Sequence, residues 1–184
     1  MVGLTTALGA PASAGVRSSR LPPPDRASIA AQFDPVLVPL GLHISRAGLE
    51  DLSSYRASPK GRRLAVYVQP TGAYTDADYV RNITTVARVF LPAVFQRWRG
   101  LETLDVCQEP LASMDPRPEA PPVTQLLVSR RASVTVRWAS VTLAGVIRAS
   151  NHRRGSAQLD LHLYVNGTIR TRPDYLSAGG RPTG

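Results

Sequence analysis

A long amphipathic segment between two strand-like runs is the feature that most restricts the fold of this chain. Its apolar side chains recur at intervals of four, three and four residues, at Tyr79, Ile83, Val86 and Phe90. This is the period of one face of an α-helix. Thr75 or Asp76 can cap the start of the helix, because their side-chain oxygens accept bonds from the free backbone N–H groups of its first turn.

A proline interrupts the same pattern near its end. The periodicity extends through Val94 and Trp98. Pro92 has no N–H, and its ring clashes with the preceding helical turn. We therefore expect a kink or a break near Pro92, and the end of the helix before Gly100.

Strand-like runs lie on both sides of this helix. Residues 64–70 are rich in β-branched and aromatic side chains and predict a central strand. Residues 101–108 predict the next strand, in which alternation places Leu104, Val106 and possibly Gln108 on one face. Strands joined across a long helix are usually parallel, so we expect these two to form a parallel pair.

The remaining runs predict further strands and one short helix. Residues 40–45, 123–128 and 157–167 are strand-like, and the last of these alternates most strictly. Residues 139–149 can form a helix capped by Ser140 or Thr142. For residues 129–138 two structures fit the sequence, a short helix capped by Ser129 or a continuation of the preceding strand. The alternation of Val134, Val136 and Trp138 favours the strand.

These elements predict an α+β fold. We expect a mixed sheet of about five strands, covered by one long amphipathic helix, kinked near Pro92, and by a shorter second helix. A chain of 184 residues is expected to hold one such domain, at residues 30–175, followed by a flexible tail at 176–184.

Residues 1–29 are expected to be a signal-peptide remnant or a disordered, proline-rich linker. Ala12, Ser13 and Ala14 are small residues of the kind read by a signal peptidase, although no positively charged segment precedes them. The alternative is a disordered terminus of a cytoplasmic protein. No segment reaches the 18 or so apolar residues of a membrane-spanning helix, so no transmembrane segment is expected.

The basic character of the chain suggests a nucleic-acid partner, but its distribution argues against one. The formal net charge is +9, and Lys60 is the only lysine among 22 basic residues. The arginines are dispersed, and their tightest groups are pairs such as Arg62-Arg63. Abundant Ala, Val, Gly, Pro and Arg are typical of a GC-rich bacterial gene, so codon supply can account for much of the arginine.

The most reactive side chains occur together in Asp105-Val-Cys-Gln-Glu109. Cys107 could act as a nucleophile with Glu109 as its partner, and Asp105 with Glu109 could perform acid–base chemistry on one face of a strand. A small buried residue at a strand end explains Cys107 more simply. As the only cysteine, it excludes an intramolecular disulfide and a cysteine-rich zinc site.

Other candidate sites have simpler structural explanations. His43 and His162 lie on the polar phases of two strands and could meet if those strands were adjacent, but further metal ligands cannot be placed, so no metal site is predicted. Four aromatic residues could line a ligand pocket, although their helical spacing is more typical of core: Tyr79, Phe90, Phe95 and Trp98. No phosphate-binding loop or cofactor motif is present, and no cofactor is expected.

The sequence predicts a non-catalytic, exported or cell-envelope domain that binds a partner protein or an apolar ligand. Two alternatives remain open. One is a small enzyme with its site at the Cys107–Glu109 strand end, and the other is a basic nucleic-acid-binding protein.

Overall fold

A mixed six-stranded sheet with helices on one face forms the architecture of the protein, whose computed structural model describes residues 24–51, 62–111, 122–150, 157–165 and 168–171. The helices are α1 (Arg26–Leu37), α2 (Asp76–Arg97), α3 (Arg130–Ser133) and α4 (Leu143–Ala149), with short 3-10 turns at Val38–Leu40 and Trp138–Ser140. The strands are β1 (Leu42–Asp51), β2 (Arg62–Pro70), β3 (Leu101–Gln108), β4 (Thr124–Ser129), β5 (Ala157–Val165) and β6 (Thr168–Thr171). The predicted α+β class is confirmed.

The strands lie in the sheet in the same order as in the chain. Strands β2 and β3 are parallel, with Val66 opposite Val106, and α2 forms the crossover between them. Every other neighbouring pair is antiparallel. The parallel pair predicted from the long helix is therefore confirmed, and it fixes α2 across the centre of the sheet.

Helix α2 begins with a capping box. The hydroxyl of Thr75 accepts from the N–H of Asp78, and the carboxylate of Asp78 accepts from the N–H of Thr75. The helix then continues through Pro92 as one element and ends at Arg97, so the chain does not break at the proline. The missing N–H of Pro92 leaves the carbonyl of Arg88 without its helical donor.

The core lies between the sheet and its helices. Leu64, Val66 and Val68 of β2 face α2, as do Leu104 and Val106 of β3, and all are at most 1% exposed. The predicted position of Gln108 on this face is also confirmed. Its buried amide nitrogen donates to the carbonyl of Tyr79 at 2.9 Å and to the hydroxyl of Thr124 at 2.7 Å.

Helix α1 was not predicted, and it begins inside the range 1–29. Asp25 caps it by accepting from the N–H of Ser28 at 2.8 Å. Ile29, Phe33 and Leu37 recur every four residues and are buried. Their packing brings α1 against α2 and closes the core at that end of the sheet.

Two side chains of α1 bind the backbone of β1. The carboxylate of Asp34 accepts from the N–H of Ile44 at 2.8 Å, and the Nε of Arg26 donates to the carbonyl of Ser45 at 2.9 Å. These bonds attach α1 to the first strand of the sheet.

The prediction of a continuous strand through residues 129–138 is wrong. Strand β4 ends at Ser129, whose hydroxyl accepts from the N–H of Ala132 at 3.1 Å and so starts the short helix α3. In this capped turn the N–H of Ala132 has a side-chain acceptor, whereas in a longer strand it would have paired with a neighbouring strand. The chain then turns back, and Trp138 is buried at 3% exposure.

Several predicted features lie outside the described residues. They are residues 1–23 with the possible cleavage site, the last two residues of the predicted strand at 157–167 and the predicted tail at 176–184. Within the described ranges, no helix combines the length and the hydropathy needed to cross a bilayer.

The guanidinium of Arg130 joins the end of α2 to the start of β3. It donates to the carbonyls of Leu101 at 2.6 Å, Trp98 at 2.9 Å and Phe95 at 3.1 Å. The last carbonyls of a helix have no partner within the helix, and a cation there is favoured by the helix dipole. The side chain of Arg130 therefore caps the C-terminal end of α2 and holds α3 against that helix.

We predict that Arg130→Ala lowers the free energy of unfolding by about 2–3 kcal/mol, because up to three carbonyls lose charge-assisted bonds. Urea denaturation followed by circular dichroism measures the change. Arg131→Ala is the matched control, since Arg131 is the adjacent exposed arginine. We expect the control to change stability by less than about 0.5 kcal/mol. Equal losses in both variants would show that the carbonyl bonds do not matter.

Candidate functional site

The face of the sheet opposite the helices carries the three predicted site residues. Because Leu104, Val106 and Gln108 face α2, alternation along β3 turns Asp105 and Cys107 to the opposite face. Asp105 is 2% exposed and Cys107 is 1% exposed. Glu109 follows the strand on the same side, and its side chain is 14% exposed. The structure thus brings all three together.

The carboxylate of Asp105 is held by neighbouring strands. Its Oδ2 accepts from the side-chain amide of Gln125 on β4 at 2.7 Å and lies 3.7 Å from the guanidinium of Arg63 on β2. Its Oδ1 accepts from the thiol of Cys107 at 3.5 Å. These partners satisfy a buried charge that would otherwise be costly.

The carboxylate of Glu109 is held by β1. Its Oε2 accepts from the hydroxyl of Ser45, and its Oε1 accepts from the Nε of Arg46 at 2.8 Å and also from Nη2 of the same guanidinium. A β-bulge between Ile44 and Arg46 inserts Ser45 as an extra residue, so two consecutive side chains reach one carboxylate. The guanidinium carbon lies 4.0 Å from the ring centroid of Tyr67.

Cys107 has the environment of a structural thiol. Burial raises the pKa of the Cys107 thiol far above its usual range, and the carboxylates of Asp105 and Glu109 raise it further, while Arg46 opposes them weakly. The thiolate is the reactive form of cysteine, so this side chain stays protonated and inert at neutral pH. Since both carboxylates are also engaged, the arrangement suits structural stabilisation of the sheet face.

The histidine pair considered from the sequence does not form. His43 is on β1 and His162 is on β5, and strands β2, β3 and β4 lie between them. Among the described residues, no group of three or more histidine, cysteine or acidic side chains could hold a metal ion.

A groove of about 500 Å³ runs between the second half of α2 and residues 133–140. Apolar side chains from both segments line it: Leu91, Pro92, Phe95, Val134, Val136 and Trp138. Val134 is 83% exposed, the highest value among the large apolar side chains that the structure describes. An apolar side chain so open to water beside a concave apolar surface marks a candidate binding site.

The charged side chains in the lining of this groove are cations. The indole nitrogen of Trp138 is buried and has no hydrogen-bond acceptor among the described residues. Arg137 lines the same groove. Gln96 is shared with an adjoining open concavity of about 670 Å³, which Arg97 and Arg99 also line. No acidic side chain of the described ranges lines either concavity.

The sequence signal for this groove was weak because two distant segments form it. Of the four aromatic residues considered as pocket or core, Tyr79 and Phe90 are completely buried. Phe95 contributes to both core and groove. The opposite wall comes from the segment at 129–138, which the sequence favoured as a continuation of strand β4. A strand there would have placed Val134 and Val136 farther from α2.

A second apolar surface lies at the end of α1. Val36, Val38 and Leu40 are 51%, 55% and 49% exposed. Pro35 and Pro39 in the same run are also exposed. These residues form a convex turn, and the concave shape of the groove makes it the better candidate site.

Several of the described arginines make hydrogen bonds or ion pairs within the protein. Arg88 donates to the carbonyl of Val141 at 2.8 Å, and Arg81 pairs with Asp78 at 2.6 Å. The other engaged arginines are Arg26, Arg46, Arg63 and Arg130.

Comparison with protein-family models, with curated proteins and with solved structures gave no match to this chain.

We predict that Cys107 resists alkylation at neutral pH in the folded protein, because the thiol is buried and its raised pKa leaves almost no thiolate. Mass spectrometry after iodoacetamide treatment, with and without guanidinium chloride, measures the difference. Modification should require unfolding. Rapid modification of the native protein would instead revive the enzyme hypothesis at this strand end.

Proposed function

We propose that this protein is a non-catalytic domain that binds a partner protein through the groove between α2 and residues 133–140. The observation that carries the proposal is the apolar lining of this groove with Val134 standing 83% exposed at its side. A partner that covered this side chain together with the apolar groove would remove both from water, which favours association.

The open form of the groove favours a protein over a small apolar ligand. Binding pockets for small molecules usually enclose most of the ligand surface. This groove is open to solvent, and Val134 extends from it. A partner that brings its own surface can cover both the groove and the exposed valine.

The predicted catalytic residues support a non-catalytic role. Asp105 is bonded to Gln125 and faces Arg63, and Glu109 is bonded to Ser45 and Arg46. A general acid or base must reach a substrate proton, and a nucleophile must be deprotonated. The buried, protonated Cys107 does not meet the second requirement.

We further propose that the protein is exported or attached to the cell envelope of a bacterium. The small residues Ala12, Ser13 and Ala14 support export, and the arginine-rich composition supports a GC-rich bacterial source. A single buried thiol also suits an oxidising compartment. Fractionation of the native host tests this location, and recovery of the protein in the cytoplasm alone would exclude it.

We predict that Val134→Asp weakens partner binding at least about tenfold and leaves the melting temperature unchanged, because Val134 contributes to the groove but not to the core. The partner is identified by crosslinking in the native host, purified, and titrated against the domain by calorimetry. Val38→Asp is the matched control, since it adds the same charge at the other exposed apolar surface. Loss of binding in the control alone would transfer the site to the end of α1.

A further inference from the structure

We infer that the segment of the partner that occupies the groove is an acidic, apolar peptide. The inference rests on the proposed function and specifies the chemistry of what is bound. Two features of the described residues carry it: the apolar side chains of the walls and the uniform sign of the surrounding charge.

The charge around the groove selects an anion. Arg137 lines the groove, and Arg97 and Arg99 line the concavity on the other side of Gln96. All three are exposed. Since no described acidic side chain lines either concavity, carboxylates on a partner would meet cations only.

Trp138 provides a reporter for the groove. Its indole ring lines the groove and is 3% exposed, and its nitrogen is buried beneath the surface. A peptide in the groove changes the surroundings of this ring without contacting the nitrogen.

The groove fits a peptide better than a nucleic acid. Single strands bind by stacking bases on exposed aromatic faces. The aromatic side chains of the groove, Phe95 and Trp138, are only 6% and 3% exposed. The other apolar side chains of the lining are aliphatic, so they match leucine-like side chains presented by a peptide.

The test uses the full chain and a synthetic peptide. The probe has about 14 residues with Glu and Leu at helical spacing, which gives a helix about 21 Å long. The control peptide carries Gln in place of each Glu. The protein contains two tryptophans, so two indole N–H signals appear in a nitrogen–proton correlation spectrum, one from Trp138 and one from Trp98. A movement of the Trp138 signal reports occupation of the groove.

We expect the acidic peptide to shift the Trp138 signal and to bind about tenfold more tightly than the control peptide at low salt. Arg137→Gln and Arg97→Gln should each weaken binding about threefold to fivefold, as for charges at an interface rim. Arg81→Gln removes the same charge at the far end of α2 and should leave the affinity unchanged.

Four outcomes would overturn the inference. Equal affinity for the two peptides would show that the groove has no preference for acid, although the proposed docking site would stand. If Arg81→Gln weakened peptide binding as much as Arg137→Gln does, the acidic peptide would be attracted only by the net charge of the protein. A matching Trp138 shift with oligothymidylate would assign the surface to nucleic acid. No Trp138 shift with the acidic peptide would exclude this occupant, while the Val134→Asp experiment would still decide the proposed function.

Discussion

The arrangement of the groove depends on the hydrogen bonds that the guanidinium of Arg130 donates to backbone carbonyls. The crossover from β2 to β3 requires α2 to end near the start of β3, where its last carbonyls need donors. Arg130 supplies them for Phe95, Trp98 and Leu101. Because Arg130 is also the first residue of α3, the same bonds hold the start of α3 beside the second half of α2. Residues 133–140 consequently return along that helix and form the second wall of the groove.

Two groups can be distinguished among the arginines that the structure describes. One set serves as long donors to backbone carbonyls and buried carboxylates, where a planar guanidinium with five N–H groups is well suited. Arg88 and Arg63 are examples. The other set is exposed, and three of its members, Arg97, Arg99 and Arg137, lie around the proposed site. Net charge alone could not distinguish these uses, because the distinction depends on which groups each side chain meets.

Elements with an unambiguous period could be predicted from the sequence, and elements decided by one local bond could not. The period of α2 predicted the helix, and the alternation of β3 placed Leu104 and Val106 on one face correctly. Helix α1 had a usable signal in Ile29, Phe33 and Leu37, but Pro35 within the run obscured it. In residues 129–138 the hydroxyl of Ser129 decided against the strand that Val134 and Val136 suggested. The meeting of Ser45 and Arg46 at Glu109 required a bulge, which no two-residue period indicates.

The bonds between α1 and β1 have a consequence for how copies of this protein behave at high concentration. Strand β1 is an edge of the sheet, and an edge strand offers its free N–H and C=O groups to a strand of another molecule. At Ile44 and Ser45 these groups are already bound by Asp34 and Arg26, and the bulge at the same place twists the edge. The start of β1 is thereby protected from aggregation by sheet extension.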